Sequence, residues 1–171
     1  VAAPVVIAFG SNEGDRLGQI ESAIAELREF VAVSAVSPIY ETAPMYVREQ
    51  PAFLNGALLG STDLGPLKLL QALKRVEAKV GRVPTQRFGP REIDLDLIAF
   101  GCLQYTFNDC GVIRLNIPHP SLRERRFVLQ PLFDIAPELS LPGLGTVAGL
   151  LASTDHQASS VRRLDHALLP V

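Results

Sequence analysis

Two stretches of this chain place apolar residues on one helical face, and each lies between short apolar runs of strand length. In the first, Leu17, Ile20, Ile24, Leu27 and Val31 recur at alternating spacings of 3 and 4. In the second, Leu69, Leu73, Val76 and Val80 form a similar stripe. Asp15 suits the cap of the first helix, Pro66 the opening of the second, and Gly81 its end. Around them, residues 4–10, 31–40, 52–62 and 92–101 read as strands, with proline-punctuated loops at 41–51 and 83–91. The order is β-α-β-β-α-β. It predicts an α+β fold with a ferredoxin-like core, helices on one face of an antiparallel sheet. Additional C-terminal elements are expected: a hairpin-like region at 103–115, a helix near 125–135, and a Pro/Gly-rich end in which 153–160 reads as polar loop.

At 171 residues the chain suits one domain, 1–171, with a real core. Its net charge of −2 predicts neither a nucleic-acid partner nor an acidic membrane surface. Cys102 and Cys110 make no disulfide framework and no CxxC metal spacing, which points to a reducing, cytoplasmic setting. No apolar run approaches the length of a membrane span. The missing initiator Met is compatible with a module cut from a longer polypeptide.

The segment RFGPREIDLDLIAF at 87–100 carries the chemistry. In a strand, residues two apart share a face, so Asp94 and Asp96 project together while Ile93, Leu95 and Leu97 point the other way. Two adjacent carboxylates repel, and one tends to take up a proton unless a cation intervenes. Hard carboxylate oxygens suit Mg²⁺, which fills its remaining positions with water and phosphate oxygens. Arg82, Arg87 and Arg91 lie close by and fit phosphate clamps. The same pattern also fits a solvent-facing pair, or simple ion pairing between Arg91 and Asp94.

The motifs FGSNEGDR (9–16), YETAP (40–44), QPAFLNGAL (50–58), EAKVGR (77–82), RFGPREIDLDLIAFG (87–101) and IPHPSLRERRFVLQPLFDIAPEL (117–139) occur in that order. With them the chain resembles the 6-hydroxymethyl-7,8-dihydropterin pyrophosphokinase family over roughly residues 4–140. The resemblance implies transfer of the β,γ-diphosphate of ATP to the hydroxymethyl group of a reduced pterin, with release of AMP. It implies two Mg²⁺ on Asp94 and Asp96, with Arg82 and Arg91 neutralising the transferred group. For the pterin it implies stacking by Phe53 and Phe127, edge recognition by Asn55, and backbone bonds from Thr42 and Ala43. A flat polar heterocycle asks for such a set, and in a strand Phe53 and Asn55 share a face. For ATP it implies His119 and Arg125 at the phosphates, Arg114, Leu115 and Asn116 beside the adenine, Leu70 and Leu97 as apolar walls, and Glu77 in a supporting position. Each Phe also fits core packing, and Glu77 also fits a solvated helix face.

GSN followed by GDR is not a phosphate loop, since neither GxxxxGK[ST] nor GxGxxG is present. Gly10 and Gly14 are read as letting the first strand turn into its helix. The chain departs from the family at Phe88, where Trp is common, and in a shorter, less charged loop at 83–88, which predicts slower turnover. The segment 101–113 carries no assigned role. Three other readings compete: a pterin or nucleotide binder without catalysis, a small-molecule sensor acting by dimerisation, and a nucleic-acid-binding domain. A sensor would bury Asp94 and Asp96 in ion pairs with no room for metal. A nucleic-acid binder would need a basic balance and aromatic motifs that are missing. As an enzyme the chain is expected to act as a monomer unless fused to another folate-pathway domain.

Overall fold

Asp15, Pro66 and Gly81 stand at helix ends in the computed structural model, which describes residues 1–44, 49–83, 89–111 and 113–165. The elements run β1 (Ala3–Ser11), α1 (Arg16–Leu27), β2 (Ala32–Val36), β3 (Tyr40–Thr42), β4 (Phe53–Thr62), α2 (Pro66–Val80) and β5 (Asp94–Phe100). After them come the hairpin β6 (Tyr105–Asp109) and β7 (Ile113–Ile117), then α3 (Arg126–Ile135), β8 (Ser140–Leu141), β9 (Gly145–Thr146), α4 (Val147–Ala152) and β10 (Val161–Arg163). The Asp15 carboxylate accepts the Gly18 N–H at 3.1 Å and caps α1. Gly81 ends α2 at φ 116°, a backbone state that favours glycine.

β1 lies between β4 and β5, antiparallel to both, and β4 also pairs with β2 and β3. The expected single strand at 31–40 is therefore two strands. Pro38 has no N–H for the ladder. Ser37 fills the break: its N–H donates to the Ala57 carbonyl and its Oγ accepts the Ala57 N–H, both at 2.9 Å. Glu41 and Thr42, expected in a loop, continue into β3.

The two helices of the core, α1 and α2, share one face of the sheet, and the C-terminal helices α3 and α4 cover the other. Val5, Ile7 and Phe9 of β1, Leu54 and Leu58 of β4, and Leu95 and Leu97 of β5 pack against α1 and α2. The alternate residues Val6, Ala8, Ala57 and Ile98 pack against Val128, Leu129 and Leu132 of α3, with Leu150 and Leu151 of α4 joining them. Strand period two divides the side chains between two cores. The polar stretch expected as loop at 153–160 is a 3-10 turn from Asp155 to Ser160, leading into β10 on the edge of β3. A three-residue edge strand held through its backbone leaves no apolar pattern to read.

α3 is ten residues long and covers only part of its face. Beyond its first turn the ends of β1, β3, β4 and β5 meet, and there the site lies.

Candidate functional site

A cavity of about 280 Å³ opens at this end of the sheet. Thr42 lines it from β3 and Ala43 from just beyond, Phe53 and Asn55 from β4, Asp94 and Asp96 from β5, Arg91 from the preceding loop, His119 and Arg125 from the approach to α3, and Phe127 from its first turn. Residues far apart in the chain thus share one space.

Asp94 and Asp96 face it together, as strand period requires. Arg82 Nη1 donates to Asp94 Oδ1 at 2.8 Å and Arg91 Nη1 to Oδ2 at 2.6 Å. Burial pushes the Asp94 carboxyl up, but Arg91, Lys74 and Arg82 outweigh it and hold it below the ordinary carboxylate range. Among the described residues, Asp96 has only a 3.3 Å contact from Arg125 Nη1. Burial, and then the Asp94 charge, push Asp96 up to about 6 against Lys74 and Arg125. The two carboxylates are thus unequally matched: Asp94 holds two close guanidinium contacts and Asp96 one long one. Two carboxylates with no third acidic, His or Cys group among the described residues fit a hard divalent ion that completes its shell with water and substrate oxygens. The cavity reaches both carboxylates, so ion pairing and room for a metal coexist.

Glu77 is not on a solvated helix face. It is 3% exposed, accepts from Lys74 Nζ at 2.8 Å and Arg82 Nη1 at 2.6 Å, and takes the Leu95 N–H at 2.7 Å. It fixes Arg82 and β5 from behind the cavity. Asn12, missed in the sequence, does comparable work at the rim. Its Oδ1 accepts the Arg91 N–H at 2.8 Å, its N–H donates to the Arg91 carbonyl at 3.0 Å, and its Nδ2 donates to the Pro51 carbonyl at 3.0 Å. Arg125 lies over the Phe127 ring, 5.7 Å from the centroid, and its buried Nε has no acceptor among the described residues. An anion entering here would meet an unsatisfied donor.

His119 Nδ1 accepts the Ser121 N–H at 3.2 Å, so the neutral ring carries its proton on Nε2. Burial, then the Arg125 charge, lower its pKa to about 4. Neutral in the fold and basic when unfolded, it costs stability as pH falls from about 6.5 toward 4. An NMR titration of the ring protons is expected to show a midpoint near 4; a midpoint above 6 would mean the ring is solvated.

Asn55 is buried and its Nδ2 donates to Thr42 Oγ1. Gly10 pairs with Asn55 across β1 and β4, and a Cβ there would lie 2.5 Å from Asn55 Oδ1. Gly10 therefore makes room for that amide rather than forming the turn, whereas Gly14, at φ 66°, does turn the chain. Only the strand register reveals the first role.

Seven expected residues stay outside the cavity lining: Arg82 and Glu77, which stand behind Asp94, and Leu70, Leu97, Arg114, Leu115 and Asn116. Leu97 and Leu115 bury their side chains in the α1–α2 core and offer no apolar wall to this cavity. Leu70 packs against the same core, Arg114 is exposed on β7, and Asn116 is half-buried beside it. Phe88 and residues 84–88 of the shortened loop lie outside the described residues.

The family model described as 7,8-dihydro-6-hydroxymethylpterin-pyrophosphokinase (HPPK) matches residues 6–137. A Pseudomonas aeruginosa protein named 2-amino-4-hydroxy-6-hydroxymethyldihydropteridine pyrophosphokinase is 39% identical over 151 residues, covering 87% of this chain and 90% of that protein. Its Aquifex aeolicus namesake is 38% identical over 143 residues, 82% of this chain and 84% of its own length. The Schizosaccharomyces pombe folic acid synthesis protein fol1 is 43% identical over 138 residues, 80% of this chain. The chain spans only 18% of fol1 and 25% of a Pisum sativum folate synthesis bifunctional protein. A crystal structure of Plasmodium falciparum HPPK-DHPS with pteroate has the same fold over 95% of this chain and 47% of its own, with TM-score 0.79 at 14% identity.

Proposed function

Because the chain belongs to the 7,8-dihydro-6-hydroxymethylpterin-pyrophosphokinase family, we propose that it transfers the β,γ-diphosphate of ATP to the hydroxymethyl group of 6-hydroxymethyl-7,8-dihydropterin, releasing AMP, as a step of folate biosynthesis. One observation carries this reading. A carboxylate pair flanked by Arg91, Arg125 and His119 shares a single cavity with Phe53, Asn55 and Phe127.

An ATP-dependent kinase implies a divalent metal. Asp94 and Asp96 would hold Mg²⁺, two ions in this reading, which when bound neutralise polyphosphate charge and polarise phosphorus. The chain's own groups supply alignment and further charge. Arg82 and Arg91, held by Asp94 and Glu77, receive the transferred group, and Arg125 offers its unsatisfied Nε–H. His119, neutral, donates from Nε2 to a phosphate oxygen. Phe53 and Phe127 stack on the pterin, and Asn55 reads its edge beside Thr42 and Ala43. The remaining ATP-side residues, Leu70, Leu97, Arg114, Leu115 and Asn116, would act at the adenine, outside the cavity. The strand order β3-β4-β1-β5, with crossovers through α1 and α2, supports the ferredoxin-like description of the core. The reading extends to a single domain acting as a monomer in the cytoplasm. Among the described residues no helix is long and apolar enough to cross a membrane.

Nucleotide product analysis tests it. Pterin-dependent AMP is the expected product; ADP would place the transfer at the wrong phosphorus. Gly10→Ala provides a sharper check on the pterin side. By displacing the Asn55 amide it is expected to weaken pterin binding about tenfold or more, with ATP affinity nearly unchanged. Calorimetry with each substrate measures both, and an equal loss for both would place Asn55 outside pterin recognition.

A further inference from the structure

The N-terminus of α3 lacks the cap that such a helix end ordinarily has. Its N-cap is Arg125, at φ −112° and ψ 77°, with no side-chain cap hydrogen bond. Ser, Thr, Asp or Asn at that position would accept one of the unpaired N–H groups of the first turn. Arginine has no acceptor, and this one sends its guanidinium to Asp96 and over Phe127. The peptide units on either side of Arg125 are instead held by Gln157, 32 positions later in the chain. Its Oε1 accepts the Arg126 N–H at 3.4 Å and its Nε2 donates to the Glu124 carbonyl at 2.9 Å.

The turn carrying Gln157 is anchored at both ends. The Arg126 guanidinium donates to Asp155 Oδ1 at 2.9 Å, and more loosely to the Leu151 carbonyl at 3.4 Å. At the far end of the turn, the Ser160 carbonyl accepts the Ala43 N–H at 3.1 Å, on the opposite wall of the cavity. The turn itself, Asp155–Ser160, lies beyond residue 137, where the family-model match stops, and its partners Ala43, Glu124 and Arg126 lie within the match.

We propose that Gln157 is a positioning residue for Arg125, supplying from a distant turn the cap that Arg125 cannot provide for its own helix. The proposal rests on the pyrophosphokinase reading, in which Arg125 meets the phosphates. One amide brackets the residue whose side chain reaches the site; its loss leaves the Arg125 N–H on the Leu122 carbonyl and the Arg125 carbonyl on the Val128 and Leu129 N–H groups, and loosens the flanking groups from which the guanidinium is aimed.

The test is a double-mutant cycle on the full chain. Gln157→Ala and Arg125→Ala are made singly and together, and binding of a non-hydrolysable ATP analogue with Mg²⁺ is measured for each. Gln157→Ala is expected to weaken binding about fivefold, the scale of one lost cap, with pterin affinity nearly unchanged and a melting temperature lower by roughly 2–4 °C. In the Arg125→Ala background the loss should vanish, because the guanidinium it aims is gone. Gln157→Glu, which keeps the acceptor and loses the donor, should recover part of the affinity. An equal loss in both backgrounds would overturn the proposal, because it would show a structural role alone. A second readout is independent of turnover: amide exchange at Arg126 should rise in Gln157→Ala, and unchanged protection there also overturns it. Absence of pterin-dependent AMP from the wild type would defeat the functional reading instead, leaving the exchange result to decide the capping role.

Discussion

Replacing Asp96 by alanine is expected to lower pterin-dependent AMP release by on the order of a thousandfold, and to leave a fold that is more stable than the wild type at neutral pH. The activity loss follows from the carboxylate's place in the cavity beside Asp94, where it would hold metal. The gain in stability follows from its discomfort there. Burial and the Asp94 charge raise its pKa in the fold to about 6, above the ordinary value of 3.8. A carboxyl raised on folding costs stability wherever it must ionise. The cost is full above about pH 6, shrinks as pH falls, and is gone below about 3.8. Its size is on the order of 1–3 kcal/mol, reduced by solvent and by Arg125. Melting curves of both proteins in metal-free buffer should therefore separate at pH 7.5 and converge near pH 4. Added Mg²⁺ and nucleotide should raise the wild-type melting temperature and leave the variant's nearly unmoved. A variant retaining a tenth of wild-type AMP release would remove Asp96 from the catalytic machinery.

The second large effect is expected at Glu77, and it should appear in stability as well as rate. Glu77→Ala leaves the Leu95 N–H without its acceptor inside the protein and takes one of two carboxylates from Arg82. Breaking such a buried arrangement from one side costs about 3–5 kcal/mol, toward the low end here because Asp94 still holds Arg82. For a chain of this size that corresponds to a fall in melting temperature of roughly 6–15 °C. Glu77→Gln keeps an acceptor and should lose about half as much. A change under about 2 °C for alanine would mean that water replaces the carboxylate without cost.

Local features were legible in the sequence, and long-range ones were not. The two helices announce themselves through Ile20, Ile24 and Leu27, and through Leu69, Leu73 and Val76, all buried. Asp94 and Asp96 share a face by strand period alone. The convergence of Asp94 with Phe53 and Asn55 came from the resemblance, because nothing in the spacing of 41 residues between Phe53 and Asp94 says that β4 and β5 flank β1. Gly10 was misread because its reason lies across the sheet in Asn55. Asn12 was missed because a lone asparagine after a strand reads as a turn residue. The break at Pro38 does carry a signal, since a proline inside a strand pattern removes a ladder N–H. Glu77 left two readings open because its helix face is polar on both sides of the buried stripe, and only its three partners distinguish them.

β10 has a consequence for how the molecule is completed during synthesis. Val161 pairs with Thr42, so the strand bearing one wall of the cavity waits for a segment more than a hundred residues further on. A nascent chain that has released β3 and β4 but not residue 163 presents β3 as an unpaired sheet edge, the kind of surface that recruits other strands. Glu41, flanked in the finished protein by Arg16 and Arg162, places a charge on that edge in the interval. Pairing across so long a separation is slow to form, and this wall of the cavity is therefore among the last parts of the molecule to become native.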